Sequence, residues 1–256
     1  MKTFYKIFTI LTFLCCFVYG DSFSEEFFSI KNADERKEEF MKTLTPLIEK
    51  ANEGILKERE TVDIFFQKVE SDGLDSIGNN ERLLIEAIAR KYKINSIEDK
   101  RSFERRVAPV PTSLAIAQAA IESGWGTSRF AKEANNIYGQ WVWTNDDEIG
   151  MIPSRRAAGK THRVRIFETL QDAVNGYLLN LNSHYAYEGF RHLRLKKGDA
   201  LSGIDAAETM INYSEIREKY VGMLKGVIRT NKLLSLDDSY KELLQGSSTK
   251  SLHPLS

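Results

Sequence analysis

The run Leu114–Gly126, "LAIAQAAIESGWG", is the feature that most narrows what this chain can become. It opens as an alanine-rich apolar helix, fit for burial rather than for a surface. Pro111 suits the first turn, with Thr112 and Ser113 near the cap, and Gly124 stops the helix after Ser123. A core to surround it is available, since 42% hydrophobic residues with 14 Phe, 10 Tyr and 3 Trp are ample for packing. The helix closes on one carboxylate, Glu122, beside a Gly-Trp-Gly turn. Gln118 and Glu122 lie four apart and share a face, while Leu114, Ala117 and Ile121 form the adjoining buried face. Glu122 therefore sits at the margin between core and a polar opening. Apolar neighbours and the negative end of the helix dipole both disfavour its charged form. A carboxylic acid kept protonated near neutral pH is what a glycosidase uses to protonate a leaving sugar oxygen. Spacing alone leaves an ordinary, partly exposed helix residue as an equal reading.

Around this helix the chain reads as mostly helical. The first 20 residues carry Lys2 and Lys6 ahead of an apolar run from Ile7 to Val18, with Gly20 at a cleavage position. This is the pattern of a secretory signal peptide, too short for a comfortable membrane span. Both cysteines lie within it, so the exported protein has no disulfide and no thiol chemistry. Residues 21–35 are polar and charged, the profile of a frayed start. From Asp34 to Ser71, Phe40, Leu44, Leu47, Ile48, Ala51 and Ile55 recur at helical spacing, continued by Val62, Phe65, Phe66 and Val69. A loop at 71–80 precedes a helix with Leu84, Ala87 and Ile88 on one side, and a shorter piece covers 97–106. The apolar stripes favour a packing shell for the core over a partner-binding arm in this N-terminal region, 21–106.

Val107-Ala-Pro-Val-Pro111 is a breaker, and the core domain is placed at 107–237. A short helix is expected over 128–134, capped by Thr127. The texture then turns to β-branched and aromatic residues at 141–156 and 160–167 around a turn at 157–160, read as a hairpin or small antiparallel sheet. Thr169 caps a further helix, with Asp172 where a capping box places Glu or Gln. Its stripe runs Val174, Leu178, Leu181 and Tyr185. Helices over 204–210 and 214–230 follow, the latter aligning Tyr220, Leu224 and Val227. Residues 238–256 read as a flexible tail. The fold class is α+β, predominantly α.

The segments "AQAAIESGWGTSRFA" and "ANNIYGQW" together resemble the glucosaminidase family of peptidoglycan hydrolases, in its Bax-type branch, related to the flagellar rod-associated hydrolases. The likeness extends through "GMIPSRR", "FETLQDAVNGYLLNLNSHYAY", "INYSEIREKY" and "IRTNKL", roughly Phe40 to Leu236. The resemblance implies a lysozyme-like fold with a small hairpin lobe and cleavage of β-1,4 bonds in peptidoglycan after N-acetylglucosamine. It makes Glu122 the catalytic acid and Tyr213 a tyrosine near the reacting sugar. Gln118, Ser123, Trp125, Asn136, Tyr138, Gly139 and Trp141 become candidates for lining the glycan cleft. Aromatic rings suit sugar C–H faces, and an asparagine can hydrogen-bond an N-acetyl group. Hydrolysis also needs a base, a nucleophile or the substrate's own acetamido group. Asp146, Asp147, Glu148 and Glu168 compete for that place, with Glu148 favoured and Glu168 next.

Each assignment has a plainer counterpart. Trp125 and Trp141 can be core aromatics, and Trp143 is expected to be one. Tyr213 can be a core hydroxyl bonded to a backbone group, and Asn135 and Asn136 can simply end a helix. The four histidines show no metal spacing, so no metal or cofactor is expected. "RHLRLKK", Arg191 to Lys197, reads as a solvated basic face. With 36 basic and 36 acidic residues the formal charge is +0, and nothing points to nucleic acid. The expectation is a monomeric, exported enzyme of the periplasm or cell envelope acting on glycan strands. A muramidase or lytic transglycosylase is the rival within enzymes. A non-catalytic glycan- or partner-binding envelope protein is the rival outside them.

Overall fold

The computed structural model describes residues 22–143, 146, 147, 149–153, 159 and 161–250, the side chains of 246–250 excepted. The segment 1–20 expected to be a signal peptide, Glu148 and most of the expected turn at 157–160 lie outside the described residues. The architecture is α+β and predominantly α, with one small sheet.

The chain enters through a short helix, α1 (Glu25–Ser29), whose cap Ser24 accepts from the Phe27 amide. This start is not frayed: Phe23 and Phe27 are buried and stack against each other and, through Phe23, on Phe40. Helix α2 (Ala33–Asp72) runs 40 residues from its Asn32 cap and ends at Gly73, whose φ of 82° only glycine adopts readily. The apolar residues at helical spacing are its buried face. Helix α3 (Asn79–Lys91) buries Ile85, Ile88 and Ala89, whereas Leu84 is exposed. The buried stripe is thus turned by one residue from the expected one. Helix α4 (Lys100–Arg106) follows, capped by Asp99.

Helix α5 (Thr112–Ser123) is buried at nearly every position. Within α2, the Asn52 amide brackets Val110 in the breaker, donating to its carbonyl and accepting from its N–H, both at 2.9 Å. The breaker is therefore no gap between domains. One hydrophobic core runs from Phe23 to Tyr240, and α2 packs against α5 and against α7 (Leu170–Ser183).

Between those helices come α6 (Arg129–Ala134) and strands β1 (Trp141–Val142), β2 (Gly150–Met151) and β3 (Arg163–Arg165). The sheet is antiparallel in the order β1-β3-β2, with Trp141 opposite Val164 and Gly150 opposite Arg165. The α6 cap is Ser128, whose hydroxyl accepts from the Ala131 amide, not Thr127. Trp143 is 72% exposed rather than buried. It directly follows β1, in which Trp141 is likewise exposed.

Thr169 caps α7 as expected, but Asp172 accepts from the Thr169 hydroxyl rather than from its amide. The helix ends at Ser183, so Tyr185 falls in a following 3-10 turn (Tyr185–Tyr187) and leaves the buried stripe. Then come α8 (Glu188–Lys197), α9 (Gly203–Ala207), a 3-10 turn (Met210–Asn212) and α10 (Glu218–Thr230). The basic run Arg191 to Lys197 lies on α8 and is only partly solvated. Arg191 and Arg194 are buried, their guanidinium groups donating to backbone carbonyls of Leu181, His184, Ala108, Pro109 and Arg105.

Residues 237–250 form α11 (Asp237–Lys250) instead of a flexible tail. Asp237 is buried, and its carboxylate accepts from the Ser113 amide and hydroxyl and from the Gly203 amide, joining α11 to α5 and α9. Among the described residues no helix is long and apolar enough to cross a membrane.

Candidate active site

The site grows from the end of α5. Gly124, Trp125 and Gly126 take φ of 59°, 58° and 78°, a left-handed run that two glycines make affordable. Ser123 fastens it: its hydroxyl donates to the Ala119 carbonyl and accepts from the Gly126 amide. A side chain at Gly126 would come within 2.8 Å of the Phe27 ring. The turn is thus pressed against α1, and Trp125 packs edge-on to Phe40. Ser123 is fully buried, whereas Trp125 is partly buried and packs against the core.

Glu122 projects, half-buried, on the other side. Its Oε2 lies 3.2 Å from the point a Cβ at Gly139 would occupy, so only glycine lets the 136–140 loop approach the carboxylate this closely. Asn136 builds that loop. Its amide donates to the Gln140 and Arg165 carbonyls, and its oxygen accepts from the Gln140 amide. Those bonds engage the Asn136 amide with the backbone and clamp the loop. Asn135 caps α6 in the left-handed region, in keeping with its plainer reading.

Tyrosines from four parts of the chain close around Glu122. Tyr138 and Tyr177 stack at 3.8 Å, Tyr213 and Tyr220 at 5.6 Å, and Tyr187 sits 5.8 Å from Tyr213. The Tyr213 hydroxyl donates to the Tyr138 carbonyl at 2.9 Å. A chain of hydrogen bonds leads to the acid. The Tyr177 hydroxyl donates to Gln118 Oε1 at 2.5 Å, and Gln118 Nε2 donates to the Tyr220 oxygen at 3.1 Å. With that oxygen occupied as acceptor, the Tyr220 proton is directed to Glu122, the other group it bonds. Gln118, fully buried, is therefore an internal link and not a cleft residue. Tyr220 is the participant that sequence reasoning missed. Its helical spacing marked it as core, and nothing along α10 tells its hydroxyl from that of any buried tyrosine.

Burial pushes Glu122 above the ordinary carboxylate range, and the Tyr220 hydrogen bond partly opposes the rise. Burial also pushes Tyr138, Tyr177, Tyr213 and Tyr220 far above their usual value, and Tyr187 to about 12. The phenols stay neutral at any physiological pH, which leaves Glu122 as the group of this cluster able to exchange a proton. Its charge bears on Tyr177, Tyr187, Tyr213 and Tyr220 alike.

The remaining candidates are dispersed. Trp141 is 53% exposed and stacks on His162 at 4.2 Å, an open aromatic platform on the sheet. Asp147 pairs with Arg163, and the Asp146 carbonyl accepts from the Gly150 amide. Glu168 is exposed and lines a separate groove of about 870 Å3 between α2 and α7, with Lys50, Glu58 and Lys91. That groove shares no lining residue with the tyrosine cluster. Among the described residues no group of three or more His, Cys, Asp or Glu converges as a metal site would require.

A buried helix thus ends on a protonatable carboxylate, walled by tyrosines and faced by a glycine loop. The family model for Glucosaminidase, described as mannosyl-glycoprotein endo-beta-N-acetylglucosaminidase, matches residues 102–233, just over half of the chain. The chain belongs to the glucosaminidase family, in its Bax-type branch, and that membership places it among the glycosidases. In particular, it is 28% identical over 207 residues to Protein bax of Escherichia coli (strain K12), covering 78% of this chain and 71% of that protein. No solved structure matches it significantly.

Proposed function

We propose that the protein is an exported peptidoglycan hydrolase of the endo-β-N-acetylglucosaminidase type, with Glu122 as its general acid. The observation that carries the reading is the environment of Glu122: a half-buried carboxyl raised by desolvation and hydrogen-bonded by Tyr220. Desolvation favours the protonated form of such a group, and a general acid donates that proton to the scissile oxygen as the C1–O bond breaks. The departing sugar leaves as a neutral alcohol and positive charge develops at C1. A second carboxylate, for which Glu148 is the candidate, or the substrate's acetamido oxygen stabilises that charge. Water then adds at C1, and its proton returns to Glu122. Tyr213, held by the Tyr138 carbonyl, positions the reacting sugar. Trp141 offers a face for a neighbouring ring.

Digestion of purified peptidoglycan tests this. Wild type should release fragments with reducing N-acetylglucosamine ends, and Glu122→Gln, nearly isosteric, should release none while keeping its fold. Full activity in the variant refutes Glu122 as the acid. Reducing N-acetylmuramic acid ends would mark a muramidase, and 1,6-anhydro ends a lytic transglycosylase. Glycan binding with no release of ends by wild type would mark a binding protein.

A further inference from the structure

Tyr185 is 80% exposed, more open even than Trp143 at 72%. The turn that carries this ring is tightly anchored. At the end of α7, the Leu181 and His184 carbonyls both accept from Arg191 Nη1, at 2.9 and 2.8 Å. Arg106 Nη1 donates to the Ser183 carbonyl at 2.8 Å. The His184 amide donates to the Asn180 carbonyl, and His184 Nδ1 accepts from the Ala186 amide at 3.2 Å. Arg191 is itself only 2% exposed. Burying a guanidinium to hold carbonyls is costly, and here it fixes a turn whose outstanding feature is an exposed ring.

The ring is also in line with the site. His184 lies 4.4 Å from Tyr185 and 5.8 Å from Tyr187, and Tyr187 lies 5.8 Å from Tyr213. Tyr187 is close enough for the Glu122 charge to act on its phenol. The aromatic line thus runs from the tyrosine cluster outward and ends on Tyr185. His184 adds a polar handle. Because Nδ1 accepts from Ala186, the ring proton resides on Nε2. Burial first, then the cations of Lys93 and Arg191, lower its pKa and keep it neutral.

We propose that His184 and Tyr185 form an outer sugar-binding subsite of the Glu122 cleft, beyond the reacting residues and on its helical side. The Tyr185 ring takes the C–H face of a pyranose, and His184 Nε2–H donates to one of its hydroxyls. A rigid platform binds without losing conformational freedom, which accounts for the clamp beneath it. The inference rests on the reading of Glu122 as acting on glycan. It predicts that affinity depends on chain length, because only a long strand reaches from Glu122 to Tyr185.

The test compares wild type, Tyr185→Ala and Tyr185→Trp on N-acetylglucosamine oligomers of increasing length and on polymeric peptidoglycan. Binding to insoluble peptidoglycan is measured in parallel by co-sedimentation. For Tyr185→Ala the expected result is a KM about 3- to 10-fold higher on long substrates, the range of one aromatic contact. Its kcat, its behaviour on the shortest cleaved oligomer and its melting temperature should stay at wild-type values, and Tyr185→Trp should retain long-chain KM. Equal KM at every length, or an equal loss on short and long substrates, overturns the subsite while the glycosidase reading stands. If wild type cleaves nothing, that reading fails. The subsite then stands on weaker co-sedimentation of Tyr185→Ala, and falls if the two sediment alike.

Discussion

Gln118→Leu probes the link between core and acid. Gln118 is 0% exposed and joins two phenols, accepting from Tyr177 at 2.5 Å and donating to Tyr220 at 3.1 Å. Leucine fills similar space but bonds neither. The Tyr177 hydroxyl then lacks its acceptor in a dry interior, which costs about 1–3 kcal/mol, and the lost bond to Tyr220 adds about 1 kcal/mol. Burying an alkyl group in place of an amide offsets part of this, leaving a net loss of about 2–3 kcal/mol. With a urea dependence of about 1–3 kcal/mol per molar, the unfolding midpoint should fall by roughly 1 M at unchanged slope. Activity should change too. A Tyr220 oxygen no longer occupied by Gln118 can turn its proton away from Glu122, and the pH profile of kcat/KM shifts with it. Urea unfolding followed by tryptophan fluorescence, with a pH–rate profile on solubilised glycan, reads both effects. A midpoint within about 0.2 M of wild type and a superimposable profile would refute the hydrogen-bond chain as a structural and electrostatic unit.

Further outcomes follow from the same geometry. Tyr220→Phe removes the one hydrogen bond that lowers Glu122, so the acid stays protonated longer and the alkaline limb of kcat/KM should move to higher pH. Glu122→Gln should be more stable than wild type at neutral pH, as chemical denaturation can show. Burial raises the native carboxyl above its ordinary 4.5, so wild-type stability is fully present below that value and declines as pH rises through the folded pKa. The two proteins should converge at about pH 3. Gly203→Ala would place a Cβ 1.9 Å from Ser113 Oγ and 2.9 Å from the Leu114 amide. Disturbing the Asp237 junction in this way should cost about 3 kcal/mol in the same assay. Gly54→Ala, where a Cβ meets nothing within 4 Å, should gain about 0.5–1 kcal/mol.

What could be read along the chain was whatever depends on spacing within one element. The Ala-rich run from Leu114 had to be a buried helix, Gly124 had to end it, and Glu122 had to stand at its margin. The stripe from Phe40 to Phe66 and the Thr169 cap are local in the same sense. Tertiary structure decided where polar side chains spend their hydrogen bonds. Asn136 went to backbone groups of its own loop and of β3, Ser123 to those of its own turn, Gln118 to two tyrosines, and Arg191 and Arg194 to carbonyls at the ends of other segments. Asp237, at the edge of an expected tail, became the buried junction of three helices. The reason is physical. Apolar burial follows a helix period visible in any window of residues, whereas a polar atom's partner is whichever donor or acceptor the rest of the fold leaves unpaired beside it, which for Asp237 is Ser113, on another helix far back in the chain.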